Sequence, residues 1–317
     1  MRLWLLPALV AFLPGSIFAS IDSALLTLVP PDSRLITGVD ADRARSSSFG
    51  QYMLNRVRTN DPHFEQFVND TGFDPRRDLQ SLVFATNGGK GEGHFAILAR
   101  GIFDSERLKV AARAHGSTVQ SYNGTDIFLS SKGQSTAGFA FLDSTTIALA
   151  DTATLKQILD SRNAPSALDP ALLKQMESAN ATNDLWFVSS LPGSFLASNL
   201  RRQTGEAPDN SGAFRGVVQS RGGVRFGDIV QLSFDALTRS PQDATSLTDV
   251  LRFLASATQM ERSSDPRAAI LANSLDAMQL TSNGSTVHAG LALTEANLER
   301  LIDLGPRPKQ TAQSRPE

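Results

Sequence analysis

The sequence predicts an α+β fold of two similar halves, each an antiparallel sheet with helices on one face. Short runs of alternating apolar and polar residues, separated by turn residues, indicate half-buried antiparallel strands. Stripes of apolar residues spaced three and four apart indicate helices that cover those strands. A strand–turn–strand–helix unit at 136–162 also has a looser copy at 279–303, which favours a duplicated arrangement.

The two copies share turn chemistry and a helical stripe. The turn of the first copy is Asp143-Ser144, and that of the second is Asn283-Gly284, a strong hairpin signal because both residues tolerate positive φ. The apolar stripes that follow are Leu155, Ile158 and Leu159 in the first copy and Leu298, Leu301 and Ile302 in the second. The junction differs by one residue, so the likeness indicates a structural echo and not a proven sequence repeat.

The N-terminus has the pattern of a secretory signal peptide. Arg2 is followed by an apolar run, and small Ala19 stands where a signal peptidase cuts. A membrane anchor is disfavoured because Pro7 and Pro14 interrupt a run shorter than the roughly 20 apolar residues of a spanning helix. We therefore predict that residues 1–19 are removed, that no transmembrane span remains, and that the mature protein is periplasmic or secreted.

The rest of the chain divides into five segments. Residues 20–33 form a lead-in with one helical turn, and 34–162 form the first α+β half. A linker with a helix occupies 163–182, and the second half runs over 183–303. The tail, 304–317, is rich in proline and polar residues and is predicted to be disordered.

Aspartate followed by proline marks helix starts, because Asp caps a helix and Pro suits its first position. Four such pairs occur: Asp61-Pro62, Asp74-Pro75, Asp169-Pro170 and Asp265-Pro266. Three are predicted to start helices, and the pair at 74–75 is predicted to form only a turn before a strand at 82–86. The clearest helical stripe follows Pro241 and consists of Leu247, Val250, Leu251 and Leu254. Residues 203–212 are predicted to be a mobile loop.

Composition excludes several classes of function. The 317 residues are 41% hydrophobic and 20% charged, with a net charge of -2, which disfavours a nucleic-acid-binding protein. Cysteine is absent, so a thiol nucleophile, a Cys-based zinc site and a lipid-modified N-terminal Cys are excluded. The four histidines form no zinc-protease motif, and Lys90 lacks the following Ser or Thr of a phosphate loop. The sequence thus predicts no catalytic residue, metal site or cofactor.

Two charged groups are candidate binding sites. Asp40, Asp42 and Arg43 follow the first predicted strand, and two carboxylates two residues apart can hold a hard cation if a third ligand joins them. The favoured interpretation, however, is a turn followed by a helix-starting acid. The second group is Asp74, Arg76, Arg77 and Asp78. Its arginines suit recognition of carboxylate or phosphate, or the four charges form ion pairs among themselves.

The segments VPPDSRLITGVDADRARSSSFGQ, GFDPRRDL and SPQDA, together with the signal peptide, resemble an uncharacterised group of secreted bacterial proteins. The resemblance covers most of the mature chain. It implies placement outside the cytoplasm and transfers no site residues.

Three classes of function remain open. The favoured one is a non-catalytic protein that binds a partner or ligand, of unknown identity, in the cell envelope. The second is a hydrolase whose site is assembled in space, and the third is a structural or inhibitory module. A shallow groove or exposed apolar patch would favour binding, whereas a deep pocket with converging ionisable groups would favour hydrolysis.

Overall fold

The structure, a computed structural model, describes residues 21–55, 62–88, 94–130, 137–164, 166–193 and 211–304. The predicted signal peptide, the tip at 89–93, the loop residues 203–210 and the tail from 305 lie outside these ranges. The described chain has a mixed α+β fold with twelve helices and one antiparallel sheet of twelve strands.

The strands are β1 (Leu35–Asp40), β2 (Leu79–Thr86), β3 (Phe95–Gly101), β4 (Thr118–Tyr122), β5 (Thr125–Leu129), β6 (Ala137–Phe141), β7 (Thr146–Asp151), β8 (Leu185–Ser189), β9 (Val217–Arg225), β10 (Ile229–Thr238), β11 (Gln279–Asn283) and β12 (Thr286–Thr294). Their order across the sheet is β11-β12-β10-β9-β8-β1-β2-β3-β7-β6-β5-β4.

The helices are α1 (Ser23–Thr27), α2 (Ala41–Ser46), α3 (Ser48–Asn55), α4 (Pro62–Thr71), α5 (Pro75–Asp78), α6 (Ser105–Ala114), α7 (Thr152–Ser161), α8 (Pro170–Thr182), α9 (Ser211–Arg215), α10 (Pro241–Met260), α11 (Pro266–Asp276) and α12 (Glu295–Asp303). No helix in the described ranges is long and apolar enough to cross a membrane.

Strands β1 and β8 join the two parts of the sheet. Ile36 pairs with Ala85 of β2 on one side and with Val188 of β8 on the other. Outward from this joint, the first part runs β1-β2-β3-β7-β6 and the second runs β8-β9-β10-β12-β11, so the strands follow in the same order. The β4–β5 hairpin extends the first part. That the two parts superpose, and that they arose by duplication, stay predictions.

One face of the sheet, here called the Ile36 face, carries the larger core. Helices α1, α7 and α8 pack there, and Leu25, Leu155, Met176 and Trp186 are buried against Ile36. Because α1 and Leu25 belong to the predicted lead-in, that segment is part of the core. The Trp186 ring lies so close to Gly38 that a Cβ at that position would fall 2.3 Å from the ring.

A buried amide fixes that lead-in. Asn180 of α8 accepts a hydrogen bond from the Ile21 amide at 3.1 Å and donates one to the Ile21 carbonyl at 2.8 Å. The Trp186 indole donates to the same side chain at 3.3 Å. A buried polar group needs such partners, and here they tie the chain start to α8 and β8.

On the opposite face, here called the Phe187 face, described helices pack towards both ends of the sheet. At one end, Ala244 and Leu247 of α10 pack on Ala236 and Val287. At the other, Arg113 of α6 lies over the Phe128 ring at 5.7 Å. Helices thus lie on both faces, where the sequence predicted one, because central strands such as β2 and β3 carry apolar side chains on both sides.

Candidate functional site

The first predicted group of charges lies at the joint between the two parts of the sheet. Asp40 ends β1 and caps α2, accepting a hydrogen bond from the Arg43 amide at 3.0 Å. The Arg43 guanidinium contacts Asp184, which precedes β8, at 3.0 Å. Asp42 is more exposed and pairs with Arg45. The structure therefore brings Asp40 and Arg43 together with Asp184 but separates Asp42 from them.

Burial dominates the electrostatics of this joint. It raises the pKa of the Asp40 carboxyl above its usual value, against the lowering effects of the Arg43 amide and guanidinium. Within the described ranges, no group of three or more His, Asp or Glu residues is placed to hold a metal ion. The contacts give Asp40 and Arg43 structural roles in capping α2 and linking it to the start of β8.

The second predicted group forms ion pairs within itself. Asp74 caps α5 and contacts Arg76 at 2.6 Å, and Asp78 contacts Arg77 at 2.7 Å. Hydrogen bonds from Arg76 and Arg77 hold the pKa values of Asp74 and Asp78, respectively, below the usual range. Each guanidinium thus has a local carboxylate partner, as in the alternative that the sequence left open.

The two groups lie at the same end of the sheet. Arg45 of α2 donates a hydrogen bond to the Leu79 carbonyl, which follows Asp78 directly. Tyr52 of α3 bonds Asp303 of α12 at 2.7 Å, so the C-terminal helix reaches the same region. These contacts give this end of the sheet a network that connects both parts of the molecule.

A different feature dominates the Phe187 face. Two rows of side chains run across six neighbouring strands, β2, β1, β8, β9, β10 and β12, in the pairing register. We call these rows the apolar band; they are Leu82, Val39, Leu185, Val224, Leu232 and Leu291 in one and Phe84, Thr37, Phe187, Gly222, Phe234 and Ala289 in the other. All but the buried Gly222 are half-buried.

A cavity of about 290 Å³ opens on the second part of this band. Among the residues that the structure describes, its lining has no charged side chain and consists of Leu185, Phe187, Gly223, Val224, Leu232, Ser233, Phe234, Met278, Ala289, Gly290 and Leu291. The Phe187 and Phe234 rings lie 6.4 Å apart. Gly222 lies on the strand between them, and a Cβ at this position would come within 2.7 Å of the Phe187 ring. Any larger residue would therefore displace that ring.

The sequence predicted strands here but not the band. Each strand shows its own alternation, yet the band depends on which residues pair between strands. The pairing of Val39 with Leu185 joins segments far apart in the chain. The available signal was that β1, β2 and β8 carry apolar residues at both odd and even positions, which indicates strands with two apolar faces.

No family model and no curated protein matches the chain. Three crystal structures of a protein called TP0453 are similar to it in fold. Crystal forms IV, I and III have TM-scores of 0.53, 0.51 and 0.55, with 9%, 8% and 8% sequence identity. They cover 87%, 88% and 88% of this chain and 95%, 96% and 97% of their own. At this identity the likeness shows a shared α+β fold that spans nearly the whole chain.

Proposed function

We propose that the protein is a non-catalytic binding protein of the cell envelope, and that its ligand is an extended apolar chain held on the apolar band. The observation that carries this proposal is the cavity on the Phe187 face, lined by half-buried leucine and phenylalanine side chains with no charge among them. Ligand cavities are concave and mostly apolar.

The physical driving force is the apolar surface that a ligand would remove from water. Burial contributes about 25 cal/mol per Å² of apolar surface, and contiguous exposed apolar patches commonly mark binding sites. Six strands about 4.8 Å apart give the band a length of about 24 Å across the sheet. A linear ligand can therefore lie along the rows and contact each strand in turn.

The lining favours an acyl chain over a peptide. A peptide carries an N–H and a C=O at nearly every residue, and each costs free energy if it is buried without a partner. The interior strands under the cavity already pair their backbone groups with their neighbours. An acyl chain has no such groups, so it meets the apolar lining without that cost.

Placement outside the cytoplasm rests on the N-terminal signal pattern and on the resemblance to secreted bacterial proteins. The first described residue, Ile21, is 2% exposed and hydrogen-bonded to Asn180. The predicted cleavage after Ala19 therefore leaves this core residue in the mature chain. Protein recovered from the cell envelope should begin at Ser20, whereas a retained Met1 in the cytoplasmic fraction would contradict export.

The binding test uses a neutral fluorescent probe, N-phenyl-1-naphthylamine, and its displacement by monododecanoylglycerol below the micelle concentration. Leu232→Trp fills the cavity, and Leu232→Asp places a charge in it. Each should raise the Kd at least tenfold, because a ligand excluded from this part of the cavity loses apolar contacts. The contribution of one large apolar side chain is about 1.5–3 kcal/mol.

Ile229→Asp is the matched control. Ile229 lies on the same strand as Leu232 but is 56% exposed and alternates onto the opposite face. Its substitution should leave the Kd unchanged. The proposal fails if the wild-type protein does not bind the probe, or if Ile229→Asp weakens binding as much as Leu232→Trp does.

A further inference from the structure

The Ile36 face changes character where β8 meets β9. On the first part of the sheet it is the main core, covered by α1, α7 and α8. On β9, β10 and β12 the same face carries polar side chains that are half-buried or exposed: Gln219, Arg221, Ser233, Asp235, Thr286 and His288. This polar surface continues the sheet face that carries the core, and it is a second region where a ligand can bind.

Three charged or ionisable residues form a row across this surface. Arg221, Asp235 and His288 are cross-strand neighbours on β9, β10 and β12. One carboxylate oxygen of Asp235 lies 2.6 Å from His288 Nδ1, and the other accepts a hydrogen bond from Arg221 Nε at 2.7 Å. Both oxygens of Asp235 therefore lie within hydrogen-bond distance of a neighbouring side-chain nitrogen.

Asp235 is ionised in this arrangement. Burial by itself raises the pKa of its carboxyl, but the hydrogen bonds and charges of His288 and Arg221 outweigh burial and hold that pKa below the usual value. The carboxylate fixes the Arg221 side chain by its Nε atom. No hydrogen bond among the described residues uses the two terminal nitrogens of Arg221, which leaves them as donors.

A cavity of about 200 Å³ lies beside this row, lined by Gln175, Gln219, Ser220, Arg221, Asp235, Leu237 and Thr286. Gln175 of α8 donates a hydrogen bond to the side-chain oxygen of Gln219 at 3.2 Å, so the amide nitrogen of Gln219 keeps its donor capacity. Thr286 adds a hydroxyl group, and Leu237, 40% exposed, adds an apolar wall. The lining thus combines several donors, one guanidinium, the Asp235 carboxylate and one apolar side chain.

We propose that this cavity binds a small monocarboxylate, whose charged end contacts Arg221 and Gln219 and whose apolar end contacts Leu237. Arginine and carboxylate form short, charge-assisted hydrogen bonds that are stronger than neutral ones. The ionised Asp235, which also lines the cavity, repels any anion, so a doubly charged phosphate fits less well than a singly charged carboxylate. The site lies on the face opposite the apolar band and is independent of it.

The test is an NMR titration of the isotope-labelled protein with sodium butyrate, and in parallel with butyramide, which has the same shape without the charge. Butyrate should shift the signals of Arg221, His288 and Leu237 saturably, and butyramide should bind at least tenfold more weakly. The Arg221→Gln variant should bind butyrate at least tenfold more weakly than the wild type does. Arg225→Gln is the matched control, since Arg225 is exposed four residues along the same strand and face, and should leave binding unchanged.

A second variant guards against a folding defect in Arg221→Gln. Leu237→Glu keeps Arg221 but places a carboxylate beside the cavity, and its exposed position makes it tolerable to the fold. It should also weaken butyrate at least tenfold. The proposal is overturned if butyrate and butyramide cause equal shifts, or if the shifts caused by butyrate do not saturate. It is also overturned if inorganic phosphate binds more tightly than butyrate, or if either variant keeps full affinity for butyrate.

Discussion

At the scale of single residues, the buried charges at the joint set how tightly β1, α2 and β8 hold together. Arg43 lies between two carboxylates, with Nε 3.4 Å from Asp40 and Nη1 3.0 Å from Asp184. Asp184 also accepts the Phe226 amide at 2.6 Å. One guanidinium thus serves two buried acids, and Asp184 is the better satisfied of the two.

Replacing Asp40 with Asn should leave stability at pH 7 equal or higher. The folded-state pKa of Asp40 lies above its usual value of 3.8, so the folded protein loses stability as pH rises from that value through the folded pKa. Asn does not ionise and can still accept the capping hydrogen bond. Urea unfolding should show the variant's advantage at pH 7 and its disappearance near pH 3.

Asp184→Asn is the contrasting variant at the same joint. It removes the closest carboxylate from Arg43, and breaking one side of a buried ion pair costs about 3–5 kcal/mol. The urea midpoint should therefore fall well below that of the wild type at pH 7. If Asp40→Asn loses more stability than Asp184→Asn, Arg43 depends more on Asp40 than on Asp184, which contradicts this account of the joint.

At the scale of elements, α10 shows how much a local pattern can predict. Ser240 caps the helix by accepting the Asp243 amide at 3.1 Å, and Pro241 stands at its first position. Of the predicted stripe, Leu247 is fully buried and Val250 is 7% exposed. The other two members, Leu251 and Leu254, are half-buried at the edge of the same core cluster.

Truncation of Leu247 to Ala should cost about 2–5 kcal/mol of unfolding free energy, because it leaves a cavity in the smaller core. Phe253→Ala on the same helix is the control. Phe253 is 65% exposed, and surface substitutions usually change stability by less than about 0.5 kcal/mol. Chemical denaturation of the two variants measures both values. Equal losses of unfolding free energy would show that the buried face of α10 has been assigned wrongly.

Turns and helix starts were predictable because a few residues determine them. Asn123 and Gly124 have φ values of 48° and 75° between paired Tyr122 and Thr125, which confirms the predicted hairpin. At the second unit, Asn283 pairs with Thr286, so the turn residues are Gly284 and Ser285, one residue later than predicted. At 74–75 the predicted turn is a single helical turn, α5, before β2.

At the scale of the whole molecule, the sequence predicted the α+β class but left open whether the two sheets join. They form one sheet because β1 pairs with β8, a contact between segments that local patterns cannot relate. The apolar band and the Asp235 row both arise from this cross-strand register. Neither candidate site could therefore be found from the sequence. The charged groups at 40–43 and 74–78 were visible as local clusters, but the partnership of Arg43 with Asp184 was not.

The most direct test of the central claim is whether an acyl chain contacts the apolar band. Isotope-filtered NOE spectra of the methyl-labelled protein with monododecanoylglycerol should show contacts from the acyl methylenes to Leu185, Leu232 and Leu291. The methyls of Leu155 and Ile158, buried on the opposite face, should show none. Contacts to exposed side chains such as Val110 instead, or no saturable contacts at all, would contradict the account.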